Sequence, residues 1–481
     1  MRRLLILVQR SNAWTAILML AGCAAAPMQD SLPPELPAQW TSSAQAGTQA
    51  QAQAETASSA KVDATQDSLN ADWWRAFGST ELDAFVTQAQ AQSLDIAAAT
   101  ARVRQAQASA RIAGAALLPE VSASLEAGRQ GRLGGHAAVD GALYAAGIGA
   151  SYEVDFWGRK RAGRDSAVHI LTATRFDHDT VRLTVTAGTA SAWIQAVALA
   201  QRAATAGLNL HSAQRLLALV QSQYESGATT VLAVAQQRTL VASQRRSLAA
   251  LRQQTEQARI ALAHLMGQAR EVTVMTDTIA TVRAPIIHAG VPSELLLRRP
   301  DIARAEAQLA AADADVLAAR AAMLPSLSLS AYAGANSDRL GSIFDNPLYS
   351  LAAGLAAPIF NAGRLAAGHD LAQARREELL ADYRQAIVTA FADVRTALVG
   401  MHGVQEQLDA QGEELAQAQL ALALAESRYR AGAETLLTLL DAQRTLYAAQ
   451  DTGALLKALH LQSAVDLYRA LGGGWRIDER I

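Results

Sequence analysis

The chain has one cysteine and nine histidines, and the chemistry open to it is bounded by them. Cys23 closes the string Leu20-Ala21-Gly22-Cys23, where small residues lead up to a thiol that can take an acyl group. A lone thiol cannot close a disulfide within the chain or build a multi-thiolate metal site. The histidines form no H-E-x-x-H pair, no G-x-x-x-x-G-K-S/T loop is present, and no serine sits in a nucleophile elbow. We therefore expect a protein that is not an enzyme, with no cofactor and no metal, driven by energy from a partner.

Carboxylates supply a second kind of chemistry, the attraction of ions in a lumen. Val121, Ala123 and Leu125 alternate with Ser122, Ser124 and Glu126, and Ile148, Ala150, Tyr152, Val154 and Phe156 with Gly149, Ser151, Glu153 and Asp155. The second half repeats the pattern, Leu327, Leu329, Ala331 and Ala333 opposing Ser328, Ser330, Tyr332 and Gly334. Such runs have the length of tilted membrane strands, ~9 to 11 residues, with polar positions facing a water-filled interior. Glu126, Glu153 and Asp155 are thus expected to face the lumen of a barrel, and Phe156 and Trp157 to lie at the membrane interface.

Four strands cannot close a barrel, and an open edge leaves backbone groups unsatisfied in lipid. The wall must be completed by further copies of the chain. A dimer would give about 8 strands, the smallest known closed wall, and a trimer about 12.

The elements that carry these strands are duplicated. Pro119 and Pro325 stand 206 residues apart in Leu-Pro strings; Gly227 and Gly432 stand 205 apart, each in a Tyr-x-x-Gly-Ala turn. Each copy reads as helix, strand, strand, long helix, break, helix. The helices are expected over Glu81 to Ala116, Gly158 to Tyr224 and Thr229 to Met266, then over Ser293 to Ala322, Gly363 to Tyr429 and Glu434 to Leu471. The strands are expected over Leu118 to Gly128, Leu143 to Phe156, Leu324 to Gly334 and Tyr349 to Phe360. A helix of that length reaches about 100 Å. Leu210, Ala213, Leu217, Val220 and Tyr224 form a heptad stripe matched by Leu415, Ala418, Leu422, Ala425 and Tyr429, as in helices packed side by side over a long distance. The same stripes would serve an ordinary bundle core.

Arg2, Arg3 and Arg10 precede an apolar run from Ala13 to Ala21, the make-up of a secretory signal peptide. The string ending in Cys23 resembles the bacterial lipobox, which implies lipidation of that thiol; Ala24 after it implies the outer membrane. The organisation is then 1–22 signal peptide, 23–70 a low-complexity tether, 71–270 the first repeat, 271–292 an extended linker, 293–475 the second repeat and 476–481 a tail. A net charge of -2 leaves no basic footprint for nucleic acid.

Four strings carry a wider resemblance: Trp73-Trp74-Arg75-Ala76-Phe77; Tyr152-Glu153-Val154-Asp155-Phe156-Trp157-Gly158-Arg159; Leu297-Arg298-Arg299-Pro300-Asp301-Ile302; and Leu439-Leu440-Asp441-Ala442-Gln443-Arg444 with Ala470-Leu471-Gly472-Gly473-Gly474-Trp475. Together they are similar to the outer-membrane efflux protein family, the TolC-like exit ducts, and most to its lipoprotein branch. The resemblance implies a mainly α protein with a membrane β-barrel: a homotrimer of four strands per chain, continuous with a long periplasmic α-helical barrel and seated in outer-membrane lipid. It implies as partners a periplasmic adaptor and an inner-membrane resistance-nodulation-division transporter. It also implies a gate just after the second Tyr-x-x-Gly turn, at Tyr429, Leu437, Thr438 and Asp441. Leu437 and Asp441 share a helical face, so three chains would stack an apolar ring on an acidic one that attracts cations. The first copy, with Ala233 and Ala235 there, adds no carboxylate. A type I protein secretion duct would share this fold; a periplasmic coiled-coil adaptor would share only the heptads. The cargo stays open among drugs, solvents and metal ions.

Overall fold

The computed structural model describes residues 72–131, 134, 141–287 and 295–475. The signal peptide, Cys23, the tether and the tail lie outside the described residues. After a 3-10 turn at Trp73–Phe77 come α1 (Thr80–Gln92), α2 (Leu94–Ala115), β1 (Glu120–Gln130), β2 (Gly141–Val154), α3 (Arg159–Glu225) and α4 (Val231–Leu265). The second copy follows with α5 (Leu295–Arg298), α6 (Pro300–Ala321), β3 (Ser326–Ser337), β4 (Pro347–Ala356), α7 (Arg364–Arg430) and α8 (Leu436–Ala470).

The helix ends are duplicated down to their caps. The hydroxyls of Thr230 and Thr435 accept from the amides of Ala233 and Thr438, satisfying free donors at the starts of α4 and α8. Both 67-residue helices begin after a left-handed glycine, Gly158 and Gly363.

Each copy's first helix, expected as one piece, is broken. In the first copy the break is Ser93, whose backbone leaves the helix at ψ 128°. In the second it is Arg299, held extended at φ -111° and ψ 119° because Pro300 follows. The breaks make room for the far end of each copy. Any side chain at Gly267 would strike the carbonyl of Gln92, and any at Gly472 the carbonyl of Arg298; both glycines have positive φ.

The four strands form one antiparallel sheet in the order β1-β2-β3-β4. The two copies therefore join in its centre, where Glu153 pairs with Ser328 and Ala150 with Ala331. The register puts Ser122, Ser124 and Glu126 on the face that holds Ser151, Glu153, Ser328 and Ser330. On this face Tyr332 lies over Gly147 and Gly334, filling space that any other residue there would block. The other face presents Val121, Leu125, Ile148, Tyr349, Leu351 and Leu355, all exposed. β1 and β4 are the free edges.

The main core forms a belt around the middle of the long helices. Trp73, Phe77, Trp193 and Tyr468 are buried there, with Trp73 stacked on Tyr468 at 4.9 Å. Residues 271–287, the described part of the expected linker, pack Val274, Ile279, Val282 and Ile287 into the same core. Glu81 accepts from the amide of Thr276 at 3.2 Å and from Trp193 at 3.1 Å, and also from the Met275 amide and the Thr276 hydroxyl. Burial works against its charge, but these donors outweigh it and hold the carboxyl below the ordinary range.

Candidate functional site: the strand junction and the helical tip

Two places hold the expected site residues. The first is where β2 passes into α3. Glu126 stands on the polar face of β1 opposite Ala145. Glu153 is on the same face, with each carboxylate oxygen 2.8 Å from Arg159 Nη2. Asp155 differs from expectation. It lies beyond the end of β2, and its oxygens accept from the amides of Lys160 and Arg161, each at 2.9 Å, and from Arg161 Nε at 3.1 Å. Gly158 offers α3 no capping side chain, so the carboxylate three residues earlier takes over the free N–H groups. Asp155 is thus a junction residue and no part of the barrel wall. Trp157 also ties the junction, donating to the carbonyl of Pro325 at 2.7 Å across the two copies.

The second place is the far end of the long helices. Tyr429, in the last turn of α7, donates its hydroxyl to Gln223 Oε1 at 2.8 Å, bridging the second copy to the first. Thr438 is held in the first turn of α8: its amide donates to Thr435, and its hydroxyl donates to Glu434 at 3.0 Å. Glu434 also accepts from the Thr435 amide at 3.1 Å. That bond first, then the Thr438 hydroxyl, and Arg428 at 3.6 Å, hold the Glu434 carboxyl below its usual range. Tyr429 and Thr438 thus fix the turn.

Leu437 and Asp441 are free of that work. Leu437 is 57% exposed. Asp441 is also exposed, and its carboxylate lies 3.7 Å from Arg444. The two share one face of α8, while Leu439, Leu440 and Gln443 on its opposite side are buried. The structure thus presents an apolar and an acidic group one turn apart on an unpartnered surface.

One group of residues was read in the sequence only as markers, and its role emerges in the belt. Arg299 is buried; it bonds Asp301 at 2.7 and 3.0 Å, Asp393 at 3.1 Å and the carbonyl of Ala470 at 3.1 Å. Burial opposes the charge on Asp301, but the Arg299 bonds prevail and keep its carboxyl below the usual range. Trp475 donates to Asp179 at 2.9 Å and packs edge-on against Phe176. A cation just before a proline, with an acid just after it, was the available signal.

A sheet with one polar and one apolar face, continuous with paired 67-residue helices, defines a membrane channel with a helical extension. Comparison with known proteins gives the family. Residues 85–268 and 291–473 match the model of the outer membrane efflux protein family. The chain is 50% identical over 418 residues to the pyoverdine export outer membrane protein OpmQ of Pseudomonas aeruginosa, covering 85% of this chain and 88% of that one. It is 32% identical over 420 residues to the cation efflux system protein CusC of Escherichia coli, covering 86% and 91%. The solved outer-membrane channel OprN superposes with a TM-score of 0.78 at 28% identity, over 92% of this chain and 99% of that one. The chain belongs to the outer membrane efflux protein family. It has the fold of the trimeric TolC-like channels and is an outer-membrane exit channel of an efflux pump. Such channels are not enzymes.

Proposed function

We propose that three copies of this chain form the exit duct of a tripartite pump, fed by a periplasmic adaptor and an inner-membrane resistance-nodulation-division transporter. The observation that carries this reading is the sheet. Its free edges β1 and β4 cannot stay unpaired in lipid, and its polar face, with Glu126 and Glu153, needs a lumen wide enough for water. Three copies give about 12 strands, whereas a wall of about 8 would be filled by side chains. Cys23 carries the lipid that tethers each chain.

Leu437 and Asp441 form the gate at the periplasmic tip, and Tyr429 and Thr438 position it. Rings of exposed leucine and aspartate about a common axis narrow the passage and gather cations there. The cargo is a secreted metal chelator of the pyoverdine type. Support for this comes from the relatives at 50% identity over 84 to 85% of the chain, both named for pyoverdine export, against 32% for the cation efflux proteins.

The test is a deletion strain of the source bacterium, complemented with the intact gene or with Asp441→Ala. Chelator in the culture supernatant should fall on deletion and return with the intact gene, while tolerance to toxic metal cations stays unchanged. Normal chelator release with lost metal tolerance would reassign the cargo.

A further inference from the structure

Within one chain, the long helix of the first copy, α3, packs against the last helix of the second, α8. Arg202 on α3 and Asp451 on α8 close that seam with bonds of 2.7 and 2.9 Å. The duplication fixes what the next seam around a ring must be. α7 is the counterpart of α3 and α4 the counterpart of α8, so α7 of one chain should meet α4 of the next. Both are edge helices here: α4 packs chiefly on α3, and α7 on α8 and α6.

We propose that where α7 of one copy meets α4 of the next, the exposed arginines of α4 pair with the exposed carboxylates of α7 and so close the seam by charge. This inference rests on the trimeric reading above. α4 carries Arg238, Arg245, Arg252 and Arg259 at steps of seven, with Arg246 beside them and Glu256 as its one acid. Steps of seven keep these side chains on one flank, next to the heptad positions Val234, Val241 and Leu248 buried against α3. Arg238, Arg245, Arg246 and Arg252 are exposed and meet no carboxylate among the described residues. Between Arg395 and Arg428, α7 holds Glu406, Asp409, Glu413, Glu414 and Glu426 and no lysine or arginine. The first four are exposed, and among the described residues only His402 and Gln405 touch any of them.

The heights agree. Gln411 on α7 donates to the carbonyl of Ala449 on α8 at 2.8 Å, so these residues stand level. The duplication carries Ala449 back to Ser243 and Gln244 on α4. Counting in opposite directions from there, Arg245 comes level with Asp409, Arg238 within a turn of Glu414, and Arg252 within a turn of Glu406. Below them, exposed Leu420 and Leu424 of α7 approach the level of exposed Val231 and Leu232 of α4.

The seam is also selective. Inside the chain the long helix supplies the cation, Arg202, and the shorter helix the acid, Asp451; between chains the roles are exchanged. An α4 placed in the seat of α8 would set Arg245 or Arg246 against Arg202, and like charges at contact reject a wrong neighbour. First and second copies must therefore alternate around the ring.

The experiment uses the full-length chain in outer membranes, carrying Arg245→Cys with Asp409→Cys, under mild oxidation. The expected result is a covalent trimer on a non-reducing gel, dispersed by reductant. The mismatched pair Arg245→Cys with Glu378→Cys, far apart in height, should give none. An intact trimer by native mass measurement, with no cross-link at 245 and 409, overturns the seam and leaves the trimer standing. A wild-type chain with no trimer overturns the reading beneath it. In a second arm, Arg245→Glu with Arg246→Glu should lose detergent-resistant trimer, and adding Glu406→Arg with Asp409→Arg should restore it; a double reversal that loses nothing also overturns the seam.

Discussion

The belt and the tip are built from the same duplicated helices, yet they are held in opposite ways. In the belt, Arg299, Asp301, Trp73 and Tyr468 are buried or half-buried, and Arg299 is held by Asp301 and, from the exposed rim, by Asp393. At the tip, Leu437 and Asp441 face solvent, and the copies are joined by Leu436 and Leu440 packed against Ala213, Val220 and Val241 and by the single bond of Tyr429 to Gln223. A buried charge that loses its partner costs several kcal/mol, whereas an exposed pair is worth about 0.2–1 kcal/mol. A channel that must open at one end without falling apart needs this unequal distribution.

That contrast sharpens into measurements. The largest effect is expected from Gly472→Ala. Its φ of +88° and the adjoining carbonyl of Arg298 leave no room for a methyl group, so folded protein should vanish from the membrane fraction. Arg299→Ala comes next, taking the cation from half-buried Asp301, and should cost about 3 kcal/mol in denaturant unfolding, the low end for a broken buried pair. Acid should act on the same place more mildly. The carboxyls of Glu81 and Asp301 both lie below their unfolded values, so the stability they add is complete above the unfolded pKa, about 4. It is lost as pH falls through the folded values. Thermal unfolding between pH 7 and pH 3 should show the belt weakening only at the acid end.

At the tip, Leu437→Ala with Asp441→Ala should raise single-channel conductance in planar bilayers while the unfolding temperature stays put; unchanged conductance would remove the gate assignment. The smallest change is Tyr429→Phe, which deletes one hydrogen bond worth about 1 kcal/mol and should make brief openings more frequent.

Much of this architecture could be read along the chain. Alternation at Ser328, Ser330 and Tyr332 marked a strand, Tyr-x-x-Gly marked the turns, and the offset of Pro119 from Pro325 marked the duplication. These signals are local or repeat at a fixed distance, so one sequence suffices to expose them. Ser93 was missed because no proline or glycine breaks the pattern there; the break answers to Gly267, packed against Gln92 from far along the chain. Arg299 stood in a string noticed as a marker, but its partners Asp393 and Ala470 are remote in sequence, and no periodicity ties them together. Asp155 was misplaced for the reverse reason. The alternation runs on past Val154, while the demand for a helix cap ends the strand.

The meeting of the halves at β2 and β3, in the middle of the sheet, bears on ancestry. Because each half supplies one complete hairpin, a gene of half the length could have enclosed the same cylinder with twice as many polypeptides. Fusion would have turned alternate docking events into internal ones, favoured by high effective concentration, and freed the two halves to diverge in charge without losing their order.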